Sequence, residues 1–186
     1  MINKMIKNKL RRLIYQIRGE VTTEELVKKG LIVGNNFNRL NQVIIDDSHP
    51  WLIEIGNDVT LAPRVHIIAH DASTKTFLGF TKIGTVIIGD RVFVGAGTVI
   101  LPSVKIGNDV IIGANSTITH DLPDGVVAVG NPARVICTTK EYLDKEKKRM
   151  DNLPVYKEEY TLRGGITEQL KRMQRKEVSN NGGFVI

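Results

Sequence analysis

His70 has the setting in this sequence that best suits proton transfer. It closes an apolar segment and stands directly before the polar stretch "DASTKTFLGFTK" (71–82), which interrupts a regular repeat. A histidine fixed at a strand end beside a loop can be the general base for a substrate that the loop covers, contributing about 10²–10⁴-fold to the rate. We predict that His70 is a catalytic base, with a structural histidine as the alternative. Asp71 either orients His70 or turns the chain, and the turn is favoured.

The other three histidines have settings that indicate other roles. His66 lies within a predicted strand, and His49, which precedes Pro50, is typical of a turn. His120 lies just past the last repeat, where a ligand contact and a plain surface position are both open. On an extended strand, His66 and His70 stand about 13 Å apart. They cannot share one metal within a chain, so no metal site is predicted.

A six-residue repeat surrounds the loop and must position His70. An aliphatic residue opens the hexads at Ile55, Leu61, Ile67, Ile88, Val94, Ile100, Ile106, Ile112 and Ile118. Glycine often follows it, and Asn or Asp occurs at the corners, where permissive backbone dihedrals are needed. A period of six fits neither a helix nor an isolated strand, but it fits a short strand followed by a corner. Three hexads then make one triangular coil, and stacked coils predict an all-β solenoid of three parallel sheets.

The segments on both sides of the repeats are predicted to be helical. An apolar stripe marks residues 2–18 as one helix, which either caps the coil or rests its basic residues on anionic lipid; the cap is favoured. Thr22 and Glu25 form a capping-box pattern for a short helix. Helices are also predicted over 139–150 and 166–177. The predicted organisation is a helical cap over 1–30, the β-helix over 31–137 with its loop 71–82, and a helical extension and tail over 138–186.

Composition and charge exclude several classes of function. The 41% hydrophobic and 25% charged residues are ordinary for a globular protein, and basic charge is concentrated at the two ends, so the repeats are not a nucleic-acid platform. The single cysteine, Cys137, permits no internal disulfide, which fits a cytoplasmic protein. Neither a secretory signal nor a membrane-spanning run is evident, and no phosphate-binding glycine motif indicates nucleotide chemistry.

The hexads, the histidine-containing break and "GNPARVI" (130–136) together resemble the hexapeptide-repeat acyltransferases. The resemblance covers roughly 31–137 and is closest to the maltose and galactoside O-acetyltransferase branch and its relatives in polysaccharide biosynthesis. It implies a left-handed β-helix, a homotrimer with active sites between chains, and acetyl-CoA as co-substrate without a metal. It also implies transfer of the acetyl group to a hydroxyl of a sugar or glycan precursor. Sugar acetyltransferases of the family often carry a longer N-terminal segment, so no particular sugar is assigned.

The same resemblance implies roles for individual residues. His70 occupies the position of the family's catalytic base, Asn41 that of an acceptor ligand, and Phe93 that of a tryptophan beside the site. Asn41 as a plain corner residue and Phe93 as a packing residue remain the alternatives. The residues implied in coenzyme binding are Gly95, Ala96, Ala114, Thr119, His120 and Arg134.

Two of these assignments have a chemical reason of their own. A backbone N–H near Gly95 and Ala96 could stabilise the oxyanion, because glycine permits close approach of a ligand. Arg134 could meet a phosphate. His120 departs from the lysine that the family often has, which removes one phosphate contact or replaces it with a protonated histidine.

Three other functions compete with O-acetylation. An N-acetyltransferase acting on an amino sugar or another amine would use similar chemistry. A non-catalytic β-helical scaffold would need neither His70 nor Asn41. A γ-class carbonic anhydrase would need a third histidine at the family spacing, and the sequence lacks it.

Overall fold

A computed structural model describes residues 20–186, which divide into two compact units with a boundary between Thr139 and Lys140. The helix predicted over 2–18, with its cap and lipid alternatives, lies outside the described residues. Within 20–186, every helix is too short or too polar to cross a bilayer.

The first unit is built from short strands. In chain order its elements are α1 (Thr23–Lys28), β1 (Ile32–Val33), β2 (Asn38–Arg39), β3 (Ile44–Ile45), a 3-10 turn (Pro50–Leu52), β4 (Ile53–Ile55), β5 (Thr60–Leu61), β6 (His66–Ile67), β7 (His70–Asp71), a second 3-10 turn (Ala72–Thr74), α2 (Lys75–Leu78), β8 (Lys82–Ile83), β9 (Val86–Ile88), β10 (Phe93–Val94), β11 (Val99–Ile100), β12 (Val104–Ile106), β13 (Ile111–Ile112), β14 (Thr117–Ile118), β15 (Val126–Gly130) and β16 (Ala133–Thr138). The capping box at Thr22 and Glu25 is present and begins α1.

Successive repeat strands belong in turn to three different sheets, and most strands within each sheet are parallel. Sheet A holds β1, β4, β9 and β12, sheet C holds β3, β6, β11 and β14, and sheet B holds β2, β5, β10, β13 and β15, with β16 antiparallel at its edge. The chain passes from A to B to C in each coil, so sheet C has a corner before it and a corner after it. The entry corner of sheet C comprises 40–43, 62–65, 95–98 and 113–116. The exit corner comprises 46–52, 68–85, 101–103 and 119–121.

Strand pairing gives the length of one coil. Phe93 pairs with Ile111 and Val99 with Thr117, so neighbouring coils are 18 residues apart (111 − 93). This is three hexads, as the repeat predicts. The first two coils depart from it, because Ile44 pairs with His66 and extra residues enter between β3 and β4. Both insertions, 46–52 and 68–85, lie at the exit corner of sheet C, where His70 is found.

The residues that open the hexads fill the axis of the coil. The nine aliphatic side chains are at most 2% exposed: Ile55, Leu61, Ile67, Ile88, Val94, Ile100, Ile106, Ile112 and Ile118. Burying each contributes about 1.5–3 kcal/mol, so the stack provides the rigid frame from which the corners project. At Gly95 an added Cβ would lie 2.4 Å from the Ala114 nitrogen, which shows how closely successive corners stack.

The second unit contains most of α3 (Thr139–Met150), β17 (Val155–Tyr156), a 3-10 turn (Glu158–Tyr160), α4 (Glu168–Glu177) and β18 (Phe184–Val185). β17 pairs in parallel with β18, and the Tyr156 hydroxyl donates to Glu177 at 2.7 Å. Burial and the Glu177 carboxylate raise the pKa of Tyr156 to about 12. None of the site residues predicted from the sequence lies in this unit.

Candidate active site

Strand pairing holds His70 at the exit corner. β7 pairs antiparallel with β8, placing His70 opposite Ile83 and Asp71 opposite Lys82. The chain between these strands forms a 3-10 turn and α2, which ends at Gly79 with a φ of +78°. His70 therefore belongs to the paired stem of the loop.

A buried aspartate fixes the His70 ring. The Asp46 Oδ2 lies 2.5 Å from the His70 Nδ1, and the Asp46 side chain is 1% exposed whereas that of His70 is 36% exposed. With the Nδ1 proton donated to Asp46, the lone pair of the ring is on Nε2. The pair therefore presents a fixed proton acceptor at a corner that solvent and substrate can reach.

Asp46 is held by three further donors. Its Oδ1 accepts from the Ser48 and His49 N–H groups at 3.0 and 3.1 Å, and its Oδ2 accepts from the Ala69 N–H at 2.9 Å. Burial alone would raise the pKa of Asp46, but the hydrogen bonds from His70 and these backbone groups outweigh it and the pKa is lowered. The carboxylate is therefore ionised at neutral pH.

Sequence reasoning missed Asp46 as a site residue. The signal was present in the "DDSHPW" insertion (46–51), which shifts the repeat at the same corner as His70. Asp71, the other candidate for orienting the base, accepts from the Ser73 N–H and pairs with Lys82 at 2.6 Å. It turns the chain, as the sequence favoured.

The acceptor residues lie on the other side of sheet C. Asn41 is exposed at the entry corner, and Phe93, 45% exposed, begins β10 in sheet B. His70 lies at the exit corner, so sheet C separates it from both residues within one chain. A single chain therefore does not bring the predicted acceptor residues to the predicted base.

The residues predicted to bind coenzyme divide between the same two corners. Gly95, Ala96 and Ala114 stack at the entry corner. The Gly95 N–H already donates to the Ile112 carbonyl at 2.8 Å, so Gly95 is wrong as an oxyanion donor and Ala96 is the remaining candidate. The ladder requires that bond, because each buried N–H in a sheet needs an acceptor.

The other three residues predicted to bind the coenzyme line the same surface depression. Thr119, His120 and Arg134 line a cavity of about 330 Å³ between the exit corner and β16. The Thr119 hydroxyl lies 2.8 Å from the His120 Nδ1, and the Arg134 guanidinium extends from an exposed position. Hydroxyl, imidazole and guanidinium groups here can bind an anionic ligand such as a phosphate.

His49 is a second residue near the base that sequence reasoning treated as a turn. It does precede the 3-10 turn at Pro50–Leu52, but its ring centroid lies 5.5 Å from that of His70. Its position depends on the backbone bond to Asp46, which no repeat pattern reveals.

The hexad coils build three stacked parallel sheets, and an aspartate–histidine pair lies at one corner of them. The family described as "Bacterial transferase hexapeptide (six repeats)" matches residues 85–120. Protein CapG of Staphylococcus aureus is 34% identical over an alignment of 152 residues, and the match covers 77% of this chain and 85% of the relative. The chain belongs to the hexapeptide-repeat transferase family.

Two solved structures are similar to part of this chain. The maltose O-acetyltransferase from Clostridium difficile 630 is 42% identical, with a TM-score of 0.53 and 59% of each chain covered. A galactoside acetyltransferase in complex with coenzyme A is 31% identical, with a TM-score of 0.56, and the match covers 62% of this chain and 58% of that one. The chain thus spans less than two-thirds of either enzyme.

Proposed function

We propose that this protein transfers an acetyl group from acetyl-CoA to a hydroxyl of a sugar or glycan precursor, with His70 as the general base and no metal. The observation that carries the proposal is the contact between the His70 Nδ1 and the buried Asp46 carboxylate, which leaves Nε2 as the acceptor. The similarity to a galactoside acetyltransferase that binds coenzyme A supports the donor and the acceptor class. The left hand of the coil, expected from the family resemblance, is part of the proposal.

The reaction uses the groups at the two corners. The His70 Nε2 takes the proton of the acceptor hydroxyl as its oxygen attacks the thioester carbonyl. The Asp46 carboxylate stabilises the imidazolium that forms, and the Ala96 N–H donates to the oxyanion. Collapse of the intermediate breaks the carbon–sulfur bond, and the leaving thiolate recovers the proton from Nε2. The products are an acetate ester and free coenzyme A.

Arg134 is expected to contact a phosphate of the coenzyme. Arg134→Ala should weaken coenzyme A binding about tenfold, in line with the loss of one charge-assisted hydrogen bond. Pantetheine, which lacks the phosphates, should bind both proteins equally. Isothermal titration of the two ligands measures the difference, with Arg163→Ala as the control for loss of an exposed arginine elsewhere. Equal loss for both ligands would contradict a phosphate contact.

The separation of the two corners supports a site shared between chains. In a homotrimer the entry corner of one copy would face the exit corner of the next and bring Asn41 to His70. The loop adds apolar surface for such a contact, because Phe77, Leu78 and Phe80 are 84%, 68% and 79% exposed. A monomer would leave these side chains in water, which is unfavourable for a contiguous patch.

Mixing two defective variants tests the shared site. His70→Gln and Asn41→Ala, unfolded and refolded together, should form mixed trimers in which some interfaces carry both native residues. The mixture should exceed the acetyl-transfer activity of either variant alone, and sedimentation equilibrium should give three times the chain mass of 20.7 kDa. If the site lay within one chain, mixing would add no activity.

A further inference from the structure

Three side chains at the exit corner form a cluster of which acetyl transfer uses only two. Asp46, His49 and His70 each offer one ligand atom, a carboxylate oxygen or an imidazole nitrogen, and these atoms lie within 4.8 Å of one another. Asp46 is buried and the two histidines are partly buried. The reaction described above uses Asp46 and His70 and gives no role to the His49 ring.

The His49 ring has an unsatisfied polar atom. Its Nδ1 is buried, and among residues 20–186 it has no hydrogen-bond partner. The His49 backbone N–H is bound to Asp46, so this ring is tethered to the same carboxylate that holds His70. A buried nitrogen without a partner is costly, and a ligand that pairs with it regains that free energy.

We propose that Asp46, His49 and His70 bind a divalent transition-metal ion of the zinc class. One carboxylate oxygen and two imidazole nitrogens are a donor set that zinc accepts, with a fourth position left for water. At bond lengths of about 2.0–2.1 Å, tetrahedral ligands lie roughly 3.4 Å apart, so atoms within 4.8 Å need only small side-chain movements. The carboxylate supplies negative charge and the exposed face of His70 supplies an entry path.

The ion inhibits the enzyme, and this part of the inference rests on the proposed function. A metal bound at the His70 Nδ1 displaces the proton shared with Asp46, and that proton moves to Nε2, so the ring stays neutral. A metal bound at Nε2 occupies the lone pair directly. In either case the ring has no free lone pair, and His70 no longer accepts a proton from the acceptor.

Cobalt(II) titration of the full chain, stripped of metal with a chelator, tests the site. A Cys137→Ser background removes the single thiol as a competing ligand. We expect one Co²⁺ per chain with the visible absorption of a tetrahedral site and displacement by Zn²⁺. The same titration should quench the fluorescence of Trp51, the sole tryptophan, whose ring lies 5.3 Å from that of His49. Absence of saturable binding at one ion per chain overturns the proposal.

Histidine variants assign the ligands. His49→Gln should weaken Co²⁺ binding by more than about 100-fold, since even outer-shell changes cost about 10–100-fold. His66→Gln, a partly buried histidine in β6 and outside the cluster, is the matched control and should bind Co²⁺ like the parent. Undiminished binding by a folded His49→Gln overturns the assignment. If His49→Gln fails to fold, the quenching of Trp51 fluorescence in the parent decides the assignment of His49. Quenching that saturates at one ion per chain supports the assignment, and absence of quenching overturns it.

Activity assays distinguish a failure of the metal site from a failure of the proposed function. Zn²⁺ should inhibit acetyl transfer reversibly, with activity restored by chelator, and the ratio of rates with and without Zn²⁺ should approach one in His49→Gln. Transfer without stoichiometric metal binding overturns the metal site alone. Metal binding without any acetyl transfer overturns the proposed function and leaves the site standing.

Discussion

His70→Gln should lower kcat for acetyl transfer by about 10²–10⁴-fold, the contribution of a positioned general base. The glutamine amide can still donate to Asp46, so the buried carboxylate keeps a partner. It has no basic nitrogen, however, and cannot take the proton of the acceptor hydroxyl. Steady-state assays of coenzyme A release at saturating substrates measure this loss.

The affinity for coenzyme A should change little in His70→Gln, because His70 is assigned to proton transfer and other residues are assigned to the coenzyme. His66→Gln is the matched control and should keep the parent kcat. A His70→Gln protein with the parent kcat would show that His70 is not the base. A protein that had lost both coenzyme binding and its melting transition would indicate a structural histidine instead.

Asp46→Asn should also reduce kcat by on the order of 10²–10⁴-fold, although Asp46 does not touch the substrate. The asparagine amide can donate to the His70 Nδ1, which favours the tautomer with the proton on Nε2. That tautomer has no acceptor directed at the hydroxyl. Because tautomer preference acts on the chemical step, kcat should fall while KM for acetyl-CoA stays near the parent value. An unchanged kcat would mean that Asp46 only supports the fold.

The same substitution should have a pH-dependent effect on stability. Folding lowers the pKa of Asp46 from 3.8, so the stabilisation from its ionised form is present above 3.8 and is lost as pH falls through the folded value. The difference in unfolding free energy between the parent and Asp46→Asn should therefore be steady near neutral pH and shrink in acid. Urea unfolding at a series of pH values measures it. A difference that grew in acid would contradict the lowered pKa.

The sequence predicted the coil well because its information is local and repeated. Each hexad independently places an aliphatic residue on the axis, and nine such residues are buried there. The coil length and the capping box of α1 follow from local spacing, whereas His70 begins β7 inside the insertion and does not end a repeat strand as predicted. Such patterns can be recognised in the sequence without knowledge of the residues that pack against them.

The candidate site was less predictable because its contacts cross the coils. Asp46 reaches His70 over 24 residues, through an insertion that breaks the repeat. The Gly95 N–H is occupied by a hydrogen bond to a carbonyl of the next coil. The His49 Nδ1 lacks a hydrogen-bond partner because it is buried beside a turn. Asn41 and His70 lie on opposite sides of sheet C in one chain, and the proposed site brings them together only across a neighbouring copy.

Mass spectrometry of the products formed from isotope-labelled acetyl-CoA shows whether His70 drives acetyl transfer to a sugar hydroxyl. A panel of sugars, nucleotide sugars and amines would be incubated with the parent protein, His70→Gln and His66→Gln. The account predicts a labelled acetyl ester, cleaved by neutral hydroxylamine, on a sugar hydroxyl with the parent and His66→Gln but not with His70→Gln. A hydroxylamine-resistant amide, or ester formed equally by His70→Gln, would contradict it.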